Sequence, residues 1–303
     1  MEVVKLKPAT HDNLWGGTKL KTEWGKECDT PILAECWELS FHKNGPCLVD
    51  SGENKGKLLK DVASETDCGT LCKQFPFFPV LIKFINSAQD LSVQVHPSDD
   101  YALKNEGEFG KTEIWYVLDA EPGAGLYVGL NKDYSAEDLR AKLDNGTIMD
   151  ALNFYTCKPG DLFIITSGTI HAIGKGMTVV EVQQNSDLTY RLYDYNRPGK
   201  DGKLRELHID KAMKVVDLHK YQKPEPLDGA LCKFKYFSCY ECDSKNMNFI
   251  DADENSFVSL TVIDGSGKVN ELDCKKGDSF FVPASKKAIL KGDFNFILTK
   301  LEK

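Results

Sequence analysis

Apolar and polar residues alternate with a period of two along much of this chain, and 3.6-residue periodicity is confined to short stretches. Ala34 to Ser40 alternates in this way and places Glu35 and Trp37 on one strand face. Phe77 to Ile85 reads as a buried strand carrying a single charge, Lys83. That lysine either snorkels to the surface or serves an anion inside a pocket. In Leu91 to His96, Val93 and Val95 point one way, while Ser92, Gln94 and His96 point the other. Pro97 ends the strand because it has no N–H for the ladder. Further strands are expected over 110–118, 126–130, 161–165, 177–183 and 189–193. Glu113 lies near the start of the first of these. In the last two, Glu181 and Gln183 share a face with Val179, and Arg191 shares one with Thr189 and Tyr193.

Helical signals are few. Ser135 with Asp138 three residues on forms a capping pattern ahead of Leu139 and Leu143, and Thr147 with Asp150 repeats it. Residues 61–74 are expected to hold a helix with Cys68 and Cys72 on one face, and 99–110 a loop or helix. Lys220 to Gly229, with Pro224 and Pro226 among charges, reads as a linker. The segment beyond it is strand-rich. The expected fold is therefore mainly β, a sandwich or barrel with a few short helices.

Composition narrows the function classes. A net charge of −8 over 303 residues, without a long basic run, argues against nucleic acid as the main partner. The N-terminus has no signal-peptide core, and no apolar run reaches membrane-spanning length, so no membrane role is expected. Ten cysteines in such a chain read as reduced thiols and point to the cytoplasm. Cys239 and Cys242 have C-x-x-C spacing without a matching second pair, and read as two thiols in a strand.

One motif completes the polar strand face. Gly160 to His171 ends a buried strand in a tight turn and sets a histidine just after it. It resembles the second motif of the cupin superfamily, with Thr166 in place of the usual proline. That resemblance implies a small jelly-roll barrel in which Gln94, His96 and Glu113 meet His171. Two imidazoles, a carboxylate and an amide suit zinc, with Fe(II) or Mn(II) as lesser fits. Gly277 to Ala288 echoes the motif with Ala288 at the histidine position. The expectation is two cupin-type jelly-roll barrels: residues 1–222 binding metal and carrying catalysis, and 223–303 degenerate and metal-free.

Taken together, Ser92 to Pro97, Gly110 to Trp115, His171 to Ile173, Glu181 and Tyr190 to Leu192 resemble the type I mannose-6-phosphate isomerases, in their short bacterial form. The resemblance runs from Trp15 to the tail. It implies a zinc-dependent interconversion of mannose 6-phosphate and fructose 6-phosphate, by proton transfer between C1 and C2 through an enediol. It further implies one zinc at Gln94, His96, Glu113 and His171, and Arg191 as the catalytic arginine. Lys111, Glu181 and Glu35 would be pocket residues, with Lys111 and Glu181 the candidates for proton transfer. Ser92 and Lys83 would lie near the phosphate. Only 58 positions separate Glu113 from His171, too few for the helical insertion of long family members. The rivals are an iron-dependent cupin oxygenase and a non-catalytic sugar-binding cupin.

Overall fold

The computed structural model describes residues 1–199 and 202–303, and its strands form three sheets. A six-stranded antiparallel sheet occupies the middle. Its order is Leu162–Ile165, Glu113–Ala120, Met177–Gln184, Val80–Asn86, Glu35–Leu39, Ala9–His11. On one side lies a five-stranded sheet, ordered Tyr190–Tyr193, Val93–Val95, His171–Ile173, Gly125–Leu130, Leu152–Thr156. Trp115, Val117, Ile85 and Val179 from the first sheet and Leu126, Val128 and Ile173 from the second form one apolar cluster between them. This face-to-face pair is the cupin-type jelly roll, mainly β as expected.

The middle sheet is covered on its other side too. Ile82, Phe84, Ile114 and Val180 pack against Phe281 and Ile297 of a nine-stranded sheet and against Phe237 and Phe257, which each precede one of its strands. Every residue of Val80–Asn86 and of Met177–Gln184 is consequently buried. Two buried faces explain why these antiparallel strands carry near-continuous apolar sequence. The nine-stranded sheet is built on the long pair Val258–Val269 and Lys287–Lys300. Its far face holds a second core of Leu260, Val262, Phe280, Leu290 and Phe296, in which Ala288 is fully buried. The chain's first strand, Val4–Lys7, pairs with Ser279–Val282 in this sheet, across the whole length of the sequence.

Helices are short; the longest, Ala136–Asp144, has nine residues, and Ser135 Oγ accepts from the Asp138 N–H as its spacing predicts. Two local expectations change. The helix expected over 61–74 is three pieces, Leu59–Val62, Glu65–Cys68 and Thr70–Gln74. Ser64 starts a new capping box, and Gly69, at φ +91°, breaks the run. The turn after Thr147 is a 3-10 helix, Ile148–Ala151, and the Thr147 hydroxyl does not cap it. The linker is irregular but anchored: the Tyr221 N–H reaches the Leu130 carbonyl at 2.9 Å, and its hydroxyl donates to the Ile164 carbonyl at 3.1 Å. All ten cysteines are free, and Cys239 and Cys242, three apart on one strand, face opposite ways.

Candidate metal centre and pocket

Alternation in Val93–Val95 carries the site. Val93 and Val95 are buried in the outer core beside Leu139 and Ile170, so Ser92, Gln94 and His96 turn inward. His171 pairs directly with Gln94 on the neighbouring strand. Glu113 comes from the facing sheet, where it lies opposite Ile165 and Gln183. His96, Glu113 and His171 are fully buried and present their ligand atoms to one point.

Tautomers show what that point is built for. His96 Nδ1 donates to the Leu188 carbonyl at 2.9 Å, and His171 Nδ1 to the Thr169 carbonyl at 2.8 Å. A carbonyl only accepts, so both Nδ1 atoms carry the proton and both Nε2 atoms hold lone pairs. Those two Nε2 atoms are 3.1 Å apart. Glu113 Oε1 lies 3.4 Å from His171 Nε2, and Oε2 lies 3.7 Å from His96 Nε2. Oε1 accepts no hydrogen bond. The Gln94 amide is 3.3 Å from His171 Nε2, and either of its ends fits that position. Converging lone pairs in a dry interior repel one another unless a cation sits among them, and carbonyl-anchored imidazoles are the usual support of a metal ligand set. Burial lowers both histidines, His171 to about 4 and His96 well below its ordinary value, so both stay neutral and able to ligate. Burial first, and then Glu181, raises Glu113 to about 7 against the pull of Lys111. A divalent ion would hold that carboxylate ionised.

Beside the centre lies a buried ionic network. Lys111 Nζ is 2.8 Å from Glu113 Oε2 and 3.5 Å from Glu181 Oε1. Lys83 Nζ is 3.0 Å from Glu181 and 3.7 Å from Glu35, and stands over the Trp37 ring. The Trp115 indole donates to Glu181 Oε2 at 2.8 Å. Burial alone would raise Glu181, but Lys111 and Lys83 override it and lower the carboxyl to about 2. Burial would likewise lower Lys111, yet Glu113 and Glu181 raise it, so it remains an ammonium. Gly110 makes the approach possible: a Cβ there would meet the Asp99 nitrogen and the Ser98 carbonyl carbon at 2.5 Å. Through this contact the loop carrying Lys111 closes on the turn that follows His96.

Arg191 pairs opposite Gln94 and faces the same interior. Its Nε donates to Ser92 Oγ at 3.3 Å and its Nη1 to the Glu206 carbonyl at 2.8 Å. The structure thus groups Gln94, His96, Glu113, His171, Lys111, Glu181, Lys83 and Glu35 at one end, and Ser92 and Arg191 at the other. Two further groups escaped sequence reasoning. At the rim, His42 Nε2 lies 3.6 Å from Asp187 and 3.8 Å from Glu108. His42 Nδ1 accepts the Asn44 N–H at 3.3 Å, so in the neutral ring Nε2 offers those carboxylates a proton, not a lone pair for a metal. The other group is Asp194 with Arg197 and Arg205; its sequence signal is the concentration of arginine in 191–205.

Comparison with known proteins finds relatives over nearly the whole chain. A family profile described as phosphomannose isomerase type I, catalytic domain, matches residues 3–121. The chain is 36% identical over 296 residues to the mannose-6-phosphate isomerase ManA of Bacillus subtilis, covering 93% of each. It is 34% identical to the mannose-6-phosphate isomerase of Streptococcus mutans, covering 93% of this chain and 92% of that one. The crystal structure of the Bacillus subtilis mannose 6-phosphate isomerase superposes with a TM-score of 0.85 at 34% identity, over 99% of both chains.

Proposed function

The chain belongs to the type I phosphomannose isomerases, an aldose–ketose isomerase family, and from that premise we propose a zinc-dependent interconversion of mannose 6-phosphate and fructose 6-phosphate. The observation that carries the metal part is the pair of carbonyl-anchored imidazoles whose Nε2 lone pairs face each other at 3.1 Å beside Glu113. His96, His171, Glu113 and Gln94 would hold one zinc, a borderline ion that accepts nitrogen and oxygen ligands together. When bound, the ion supplies Lewis acidity toward the sugar oxygens.

The protein's own groups divide the remaining work. Isomerisation moves a proton between C1 and C2 while negative charge builds on the adjoining oxygen. Lys111, held as an ammonium, is the charged donor for that oxygen. Glu181 and Lys111 are the proton-transfer candidates: Glu181, held ionised, has lone pairs to accept a proton, and the Lys111 ammonium, 3.5 Å away, has protons to give. Arg191 stays protonated, so it binds negative charge and does not act as a base. Burial magnifies the contacts of Lys111 and Glu181, which are 4% and 3% exposed, because their low-dielectric surroundings screen charge weakly. Lys83 is already faced by Glu181 and Glu35, which suits it to fixing Glu181 and not to a phosphate.

A coupled assay for fructose 6-phosphate formed from mannose 6-phosphate, with metal analysis by mass spectrometry, tests the reading directly. About one zinc per chain and turnover that stops on chelation and returns with zinc are expected. Iron with oxygen uptake, or no turnover at full metal loading, would sink it. His171→Ala should lose both metal and activity. Arg191→Ala should keep near one equivalent of metal while turnover falls by about a hundredfold or more, as for the loss of one donor to transition-state charge.

A further inference from the structure

The loop that carries Lys111 has no regular structure of its own, yet three successive N–H groups in it are each claimed. The Gly110 N–H donates to Asp99 Oδ1 at 2.8 Å, the Lys111 N–H to the Pro97 carbonyl at 3.1 Å, and the Thr112 N–H to Gln184 Oε1 at 2.8 Å. The Thr112 N–H requires an oxygen, which settles the orientation of the Gln184 amide. Its Nε2 is thereby turned to Asp99 Oδ1, at 2.8 Å. Tyr236 donates its hydroxyl to the other carboxylate oxygen, Oδ2. Asp99 opens the short helix Asp99–Asn105, where an acidic residue suits the helix dipole, but every one of these bonds leaves its own helix.

One carboxylate therefore joins several pieces of chain that meet at the pocket. Gly110 and Thr112 flank Lys111, and Gln184 ends the strand that carries Glu181. Tyr236 comes from the far sheet, in the turn that joins Cys232–Lys233 to Ser238–Asp243 and is closed by the Phe234 N–H on the Phe237 carbonyl at 2.9 Å. Such turns ordinarily face solvent. Here the Tyr236 ring lies against Phe75 and Phe109, at 5.4 and 6.1 Å between centroids. Phe109 is buried and immediately precedes Gly110. The nine-stranded sheet thus reaches the Lys111 loop by two routes, directly through the Phe109 ring and at one remove through the Asp99 carboxylate. The loop has a definite placement to hold, with Lys111 Nζ 2.8 Å from Glu113 Oε2 and 3.5 Å from Glu181 Oε1. Lysine's stem is long and flexible, so its ammonium keeps that place only where its backbone is fixed.

We propose that Tyr236 acts through Asp99 and Gln184 as a positioning relay, by which the nine-stranded sheet sets where the Lys111 ammonium stands and, with it, the rate of the chemical step. The proposal rests on the isomerase reading above, in which Lys111 is the charged donor to the reacting oxygen. Tyr236, Asp99 and Gln184 are positioning residues: they act on the reacting atoms only through Lys111. A misplacement of about 1 Å is enough to cost about a hundredfold in rate, so slack in one remote hydrogen bond shows in kcat.

The test uses the full-length, zinc-loaded protein, with kcat and KM for mannose 6-phosphate and amide hydrogen exchange read on the same samples. Tyr236→Phe keeps the ring on Phe75 and Phe109 and removes only the hydroxyl. Its kcat should fall about tenfold, with KM and bound zinc within about twofold of wild type. The amides of 110–112 should exchange at least about tenfold faster, while protection in Val258–Val269 stays unchanged. Asp99→Asn, which keeps one acceptor oxygen, should recover part of the kcat that Asp99→Ala loses. In the Asp99→Ala background, Tyr236→Phe should change kcat by less than about twofold, since its path is already cut. Full multiplication of the two losses would overturn the relay. So would an unchanged kcat or unchanged exchange at 110–112 in Tyr236→Phe, or a loss that came with zinc release or faster exchange throughout the chain. If the wild type turned over no mannose 6-phosphate while Tyr236→Phe still loosened 110–112, the relay's hold on the loop would stand and the isomerase reading would fail.

Discussion

Two ammonium groups and the Trp115 indole hold Glu181 ionised against its burial, and its sequence position gives no hint of that. Alternation places Glu181 on the inner face, but not within reach of Lys111, from the loop before Glu113, and Lys83, from a neighbouring strand. The cluster of His96, Glu113 and His171 is more legible, since Gln94 and His96 share one strand face and His171 follows a recognisable turn. The arginine cluster is not, because Asp194, Arg197 and Arg205 lie in irregular chain where periodicity carries no signal. The carboxyl of Glu181 is lowered to about 2 in the folded protein, from an ordinary 4.5. A depressed carboxylate contributes stability that is fully present above its unfolded pKa and lost as pH falls through the folded one. In Glu181→Gln that contribution is missing, and Lys111 is left with Glu113 and Lys83 with Glu35. Thermal melts of metal-free wild type and Glu181→Gln should therefore differ most above about pH 4.5. The gap should narrow steadily as pH is lowered toward about 2. A gap that widened on acidification would contradict the assignment of Glu181 as an ionised partner of the two lysines.

Strands were easier to read than helices here, for a physical reason. A strand's partners impose a period of two over its whole length, whereas helices of four or five residues show barely one turn of periodicity. Hence the run over 61–74 looked like one helix, although Ser64 and Gly69 divide it. Close backbone approach is equally hard to see in sequence, and Gly110 is the case that matters for the site. Its backbone lies against Ser98 and Asp99, and its N–H donates to Asp99 Oδ1 at 2.8 Å. Lys111, the next residue, donates its N–H to the Pro97 carbonyl, one residue past His96. Any Cβ at 110 would strike backbone atoms that cannot rotate aside, so the two segments must separate. Gly110→Ala should cost stability on the scale of core overpacking, about 1–3 kcal/mol. It should also weaken zinc binding at least tenfold by moving Lys111 and His96 apart. Chelator competition checks the second effect, and unaltered zinc affinity would show that the loop positions neither residue.

At the scale of the molecule, the covering of the middle sheet decides what can fold alone. The expected division into residues 1–222 and 223–303 cuts across one sheet, because Val4–Lys7 and Leu48–Val49 lie in the nine-stranded sheet with strands from beyond 223. The apolar surfaces on the two sides of the cut are shared. The first strand pairs with Ser279–Val282, and Phe84 of the middle sheet packs in one cluster with Phe281 of the nine-stranded sheet and with Phe257, which precedes one of its strands. Phe281 is fully buried and stacks on Phe257 at 5.4 Å between ring centroids. Phe84 is followed in the chain by Ile85 and preceded by Lys83, whose side chains face the pocket. Damage on the covered side is thus transmitted through one strand to the site. Phe281→Ala removes a large ring that the surrounding sheets cannot collapse to replace, and should cost about 3–5 kcal/mol. Because the cover and the site share that sheet, unfolding and zinc release should stay coincident in the variant, both moving to lower temperature together. Calorimetry with a zinc-responsive dye reads both at once. A variant whose far sheet melts first while zinc stays bound would show that the two sheets carrying the proposed site are stable on their own, and that the nine-stranded sheet is an attachment to them and not their missing wall.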